Sequence, residues 1–145
     1  MSIVAVDDSS ARDWAALCNE LWPHRSAGEF LEAYQNGEYA NEFLVEWDGM
    51  YIGFLSLSLR HDYVEGKEDS NPVGYVEAIY VQENHRHKGV ARALIAFAKE
   101  WSSAQGCTML ASDCELANEA SRAFHNRAGF AEASINVHFT MDINP

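Results

Sequence analysis

The chain has 145 residues, 48% of them apolar, and sets 10 Lys and Arg against 22 Asp and Glu for a formal net charge of −12. That length suits one domain, residues 1–145, with a proper hydrophobic core. The charge argues against nucleic acid or an anionic membrane as partner and favours cations, although acidity also serves solubility alone.

Residues 3–6 alternate weakly as a first strand. Ser9 or Ser10 can cap the helix that follows, where Trp14, Leu17, Cys18, Leu21 and Trp22 recur at spacings of three and four until Pro23 stops it. Ser26 with Glu29 three residues on makes a capping box for a second helix, with Phe30, Leu31 and Tyr34 on its apolar side and Asn36-Gly37 at its end. Residues 42–47 and 51–59 read as two strands joined at Asp48-Gly49. In the second, Ile52, Phe54, Ser56 and Ser58 fall on one face and Gly53, Leu55, Leu57 and Leu59 on the other. Residues 60–63 lead into a polar loop from Glu65 to Pro72, and residues 73–81 form a central strand followed by a helix from Val90 to a glycine stop at Gln105-Gly106. Residues 107–113 read as a further strand and 118–128 as a short helix; 131–132 with 135–143 are expected to complete the sheet as a terminal hairpin.

Cys18, Cys107 and Cys114 are odd in number and lack metal-ligand spacing, so neither a disulfide framework nor a metal site is expected. No stretch approaches the length of a membrane span, and residues 1–8 lack the basic region and apolar segment of a signal peptide, so a soluble cytoplasmic protein is expected.

The chemistry concentrates in residues 75–94, an apolar strand, a basic turn and an Ala/Leu-rich helix. In Arg86-His87-Lys88-Gly89-Val90-Ala91 the glycine folds the backbone tightly where a helix starts. The first N–H groups of a helix have no internal partner and its dipole is positive there, so this turn suits a phosphate or pyrophosphate. A bland alternative is a tight turn with a solvated basic face. Glu77 stands in the middle of the apolar strand, where an unpaired charge is costly to bury. Its ordinary explanation is a structural ion pair, with Arg60 as the nearest candidate.

The turn Arg86-x-x-Gly89-x-Ala91, followed by Asn118, Phe124 and Gly129-Phe130, resembles the acetyl-CoA signature of the GCN5-related N-acetyltransferases. Leu21-Trp22-Pro23, residues 60–64, the Glu77 strand and Ala111-Ser112-Asp113 look like the bacterial aminoglycoside 6'-N-acetyltransferases of that family, over nearly the whole chain. The resemblance implies a single-domain α/β fold whose mixed, mostly antiparallel sheet is flanked by helices, with two splayed central strands holding acetyl-CoA. Ile79 and Val81 would offer main-chain groups to the pantetheine, residues 86–92 (Arg86, His87, Lys88, Gly89, Val90, Ala91 and Arg92) would cradle the pyrophosphate, and Asn118 would bond the pantetheine.

It further implies direct attack of a substrate amine on the acetyl thioester, with the oxyanion held by a main-chain N–H. The amine must lose a proton first, a task that suits a carboxylate. Asp113 is the candidate that orients and deprotonates the amine, directly or through water, though it could equally cap a turn. Glu77 is a second amine anchor and proton relay, and Trp22, Tyr63 and Glu132 complete the acceptor set. Where many relatives carry a tyrosine as the thiolate's acid this chain has His125, which can donate a proton near neutrality or can simply be packed. The expected acceptor is a polycationic aminoglycoside, and its acetylation would confer resistance. A polyamine, a peptide N-terminus or another small amine, or a non-catalytic acetyl-CoA sensor, are the alternatives. A homodimer is expected, because an open sheet needs its edge covered.

Overall fold

The computed structural model describes residues 1–144 other than Tyr63, Glu65 and Ser70. Strands β1 (Ser2–Ala5), β2 (Glu42–Trp47), β3 (Met50–Arg60), β4 (Val73–Val81) and β5 (Leu110–Ser112) form one sheet in chain order. Every pair is antiparallel except β4–β5, which is parallel and spans only Gly74–Val76 against Leu110–Ser112. A parallel partner requires a crossover, and α3 (Val90–Ala104) supplies it. Helices α1 (Ala11–Leu21) and α2 (Ala27–Gln35) lie on the opposite face, and α4 (Glu119–Ala128) follows β5.

Alternation along the strands feeds two cores. Toward α3 the sheet buries Val45, Leu55, Leu57 and Val76 against Leu94, Ile95 and Ala98. Toward α1 and α2 it buries Leu44, Phe54 and Ala78 against Trp14, Leu17 and Phe30. Each such aliphatic or aromatic side chain contributes about 1.5–3 kcal/mol by leaving water. Helix α3 packs directly on the backbone of β4, since a Cβ at Gly74 would lie 1.9 Å from Ser102 Oγ.

Two bulges break the alternation. Val45 and Glu46 oppose Gly53 and Tyr51, so Ile52 is supernumerary and joins the α3 core rather than sharing the face of Phe54 as the simple alternation predicts. Ser56 and Leu57 oppose Ala78 and Val76, so Glu77 is supernumerary on β4. The second bulge puts Glu77 and Ala78 on one face in succession, because Glu77 bonds Ser58 of β3 while Ala78 packs among Phe54 and Leu44.

The capping box of α2 forms as expected, with Ser26 Oγ accepting from the Glu29 N–H at 3.1 Å. Ser10 occupies the N-cap of α1 without capping it; the Asp7 carboxylate instead accepts from the N–H groups of Ser9 and Ser10. The terminal hairpin is not formed. Residues 131–144 pair with no strand among the described residues and are exposed throughout. A strand pattern needs a ladder partner, and among the described residues the segment has none.

Glu42 opens β2 on the α1/α2 face and is only 5% exposed. Ser56 Oγ donates to its Oε1 at 2.8 Å, while Oε2 is buried without a partner. Burial pushes its carboxyl up to about 8, the Ser56 hydrogen bond opposes this, and the Glu77 charge adds to it. The folded state therefore holds a proton that the unfolded chain releases near 4.5. Folding stability falls as pH rises through that interval. Glu42→Gln carries no such penalty, so its melting temperature should gain on the wild type steadily from pH 5 to 8, as read by calorimetry; parallel curves would refute a protonated Glu42.

Candidate active site

Two constellations meet at β4. The first is the basic turn. After β4 a 3-10 turn at Glu83–His85 leads to His87 at φ 61° and Gly89 at φ 83°, both left-handed, and α3 begins at Val90. The sequence pattern gave no sign of the 3-10 turn. The first backbone bond into α3 runs from the Ala93 N–H to the Gly89 carbonyl, so the N–H groups of Val90, Ala91 and Arg92 precede the ladder. They open on a cavity of about 480 Å³ lined also by Val81, Arg86 and His87 and, from α4, by Phe124 and Arg127. Arg86 spends its Nε on the Val81 carbonyl at 2.8 Å, which pins the turn to the strand and leaves the rest of the guanidinium available. Lys88 sits 5.9 Å over the Trp47 ring, outside the cavity lining. Bare N–H groups with three guanidinium-bearing side chains fit a pyrophosphate. Arg127 was not among the residues the motif suggested; its only signal was a basic residue late in the second helix of the pattern.

Beside the cradle, β4 and β5 part. Their ladder ends at Val76 and Ser112, and residues 77–81 keep β3 on one edge with no strand on the other among the described residues. Ile79 and Val81 lie in this stretch. The gap suits an extended chain that hydrogen-bonds along a strand edge, as pantetheine does. Asn118 caps α4, its Oδ1 accepting from the Ser121 N–H at 3.0 Å, so its NH₂ is the group left for a ligand.

The second constellation is a polar chain across the α1/α2 face. Ser58 Oγ donates to Glu77 at 2.6 Å, and Arg60 grips the same carboxylate at 3.0 Å. The Arg60 guanidinium lies 3.5 Å over the Tyr75 ring, and the Tyr75 hydroxyl donates to Asp113 Oδ2. Burial first, and then that hydrogen bond, push the Tyr75 hydroxyl well above its usual range, so it stays a donor. The ion pair foreseen for Glu77 thus exists. Both partners are more than a third exposed, where such pairs are worth about 0.2–1 kcal/mol. It orients a carboxylate more than it stabilises a fold. Tyr75 and Ser58 went unnoticed in the sequence, where each reads as an ordinary strand residue.

The other candidates fall elsewhere. His125 is clamped: its Nδ1–H donates to the Ser121 carbonyl at 2.8 Å, so Nε2 accepts from the Ser112 hydroxyl at 2.8 Å, with Phe124 and Phe130 flanking the ring. Trp22 ends α1 half-buried, its ring 5.8 Å from Phe30 and 6.0 Å from Phe54, as one wall of the α1/α2 core. Glu132 pairs with Arg122 of α4 at 2.8 Å and makes no contact with the Glu77–Asp113 chain among the described residues. Tyr63 lies outside the described residues. Of the cysteines, Cys18 is buried and its thiol is pushed far up by burial, while Cys114 is exposed beside Asp113. Among the described residues no group of His, Cys, Asp or Glu converges to hold a metal ion, and no helix is long and apolar enough to cross a membrane.

The profile described as the Acetyltransferase (GNAT) family matches residues 8–130. The chain is 39% identical to an aminoglycoside N(6')-acetyltransferase type 1 of Acinetobacter haemolyticus over 99% of its own length and 100% of the relative's. It is also 39% identical to one of Serratia marcescens over 94% and 96%. Among solved structures, AAC(6')-Iy in complex with a bisubstrate analog, CoA-S-monomethyl-acetylneamine, superposes at a TM-score of 0.86 with 31% identity, covering 97% of each chain.

At Gly89 a side chain meets open space but a left-handed backbone. Gly89→Ala should strain the turn by about 1–2 kcal/mol and weaken CoA binding roughly ten-fold by titration calorimetry, with little change in KM for an amine.

Proposed function

The chain belongs to the GNAT family of acetyltransferases, and on that footing we propose that it transfers the acetyl group of acetyl-CoA to the 6'-amine of aminoglycosides. The observation that carries this reading is the polar chain Ser58–Glu77–Arg60–Tyr75–Asp113, which holds two carboxylates on one sheet face beside the parted strands. Similarity to aminoglycoside N(6')-acetyltransferases over nearly the full chain supports the choice of acceptor. The acidic surface favours encounter with a polycation.

Acetyl-CoA supplies an activated thioester; the protein supplies orientation and proton traffic. The turn from Arg86 to Arg92 holds the pyrophosphate, the free edge at Ile79 and Val81 aligns the pantetheine, and the Asn118 amide donates to it. Asp113, fixed by Tyr75, accepts the proton of the reacting amine and keeps its lone pair aimed into the gap. Glu77, fixed by Arg60 and Ser58, anchors a second ammonium; Trp22, Tyr63 and Glu132 are carried into the acceptor set by the resemblance alone. The amine nitrogen gains a bond to the acyl carbon, the carbon–sulfur bond breaks, and the thiolate takes a proton, which His125 can pass through the Ser112 hydroxyl only from its imidazolium form, in which Nε2–H donates to Ser112. We place this activity in the cytoplasm, where acetyl-CoA is available, and read residues 1–145 as one catalytic domain that confers antibiotic resistance.

The same reading includes a homodimer. Ile135, Val137, Phe139, Met141 and Ile143 alternate along the last segment and are 67–90% exposed, an apolar stripe with nothing to cover it. Strand β5 is the outer strand of the sheet on that side. A second copy's segment laid along β5 would satisfy both.

Initial rates of CoA release with tobramycin, the same scaffold lacking its 6'-amine, spermidine and a lysine peptide test the acceptor. Turnover should require the 6'-amine, and turnover of spermidine or the peptide alone would overturn the assignment. Asp113→Asn should lower kcat by about 10²–10⁴-fold. For the dimer, sedimentation should give two chains for the wild type and one for Phe139→Lys; a monomeric wild type would sink this part of the reading.

A further inference from the structure

Strand β3 presents Ser56 and Ser58 two residues apart on the face toward α1 and α2, and each serves a carboxyl. Ser58 donates to Glu77, which is exposed and already held by Arg60. Ser56 donates to Glu42, which is almost wholly buried, carries an unpartnered Oε2 and has no cation within ion-pair distance among the described residues. The two Glu–Ser couples lie side by side on the floor below the proposed acceptor, one in contact with solvent and one behind it. They differ in charge, because a carboxylate with a buried, unsatisfied oxygen and no counter-ion is neutralised by a proton.

The titratable groups that face Glu42 are few. Cys18 of α1 is close enough to feel it, as is Glu77 of β4. Arg25, between α1 and α2, acts on the same Cys18 but stacks on Phe30 and bonds the Tyr39 hydroxyl. From the substrate side Glu77 acts on Glu42 with a sign that disfavours ionisation, and its ion pair with Arg60 offsets part of that charge. An acceptor with several ammonium groups reverses that sign. It adds to Arg60 in offsetting the Glu77 charge and brings positive potential to the floor, and a nearby opposite charge lowers a carboxyl pKa. A carboxyl that titrates near 8 in the free protein then crosses neutrality.

We infer that Glu42 is a positioning residue of the acceptor site: protonated in the free protein, it ionises when a polycationic amine settles against Glu77, and its proton leaves to the solvent. The bound state then holds one more negative charge beneath the substrate than the free state does. The arrangement favours polycations over monoamines, because Glu77 is already paired with Arg60 and one ammonium adds less positive potential beneath the substrate than several do. This inference rests on the reading of the Glu77 face as a polycation site.

The test is titration calorimetry of tobramycin into the full-length protein at pH 7.5, in buffers of different ionisation enthalpy, which counts the protons exchanged on binding. The wild type should release more protons than Glu42→Gln, by up to one per chain, and the variant should bind tobramycin several-fold more weakly while binding CoA like the wild type. In Ser56→Ala, which removes the hydrogen bond that favours the charged form, the release should move to higher pH. Equal proton counts in the wild type and Glu42→Gln, or an unshifted profile in Ser56→Ala, would overturn the inference and leave the proposed acetyl transfer standing. Absence of tobramycin binding to either chain would overturn both.

Discussion

The arrangement rests on how β4 is shared. Along its whole length the strand pairs with β3, but β5 accompanies it only from Gly74 to Val76. The supernumerary Glu77 falls at the point where that second ladder ends. Backbone groups of a central strand are normally consumed on both sides, so a strand released on one side is an invitation to a ligand with amide groups of its own. The same bulge turns the Glu77 side chain onto the face of Ser58 and Tyr75. One extra residue thus stands where the second ladder ends and turns a carboxylate onto the face of Ser58 and Tyr75, and the proposed site depends on both features.

Charge is distributed to match. The chain is strongly acidic overall, yet three of its ten Lys and Arg line the cavity at the start of α3. On the other face of the sheet the carboxylates are held by neutral donors and one arginine, Arg60, whose remaining charge is spread over the Tyr75 ring. The proposed anion and cation sites therefore sit on opposite sides of the parted strands, and reacting groups brought to each would meet in the gap.

Much of this was legible in the residues themselves. The capping box at Ser26 and Glu29, the hairpin at Asp48-Gly49 and the strand–turn–helix around Gly89 are all local signals, and local signals survive folding. The pairing of Glu77 with Arg60 was one of two readings open from position alone. The Tyr75–Asp113 bond was not legible, since it joins residues 38 apart through a crossover whose geometry no pattern states. Nor were the bulges: alternation predicts a face for every residue of a strand but carries no mark where a register slips, and Ile52 and Glu77 are the two residues it misplaces or leaves unexplained. The terminal strand failed for the opposite reason. Its pattern is clear, but a pattern specifies only what a strand would bury, and among the described residues no strand of the fold pairs with it.

That uncovered segment also bears on how the protein behaves before it is folded and assembled. Five apolar residues alternating over nine positions, without a proline between them, have the makeup of a cross-β nucleus. His138 and Asp142 are the ionisable residues that interrupt the stretch, the first just before its midpoint and the second next to its end. Until a partner covers it, this stretch is free to find an identical neighbour in the wrong register. Overproduction lengthens that exposure and raises the concentration of neighbours together, so inclusion-body formation should be governed by these few residues more than by the stability of the core.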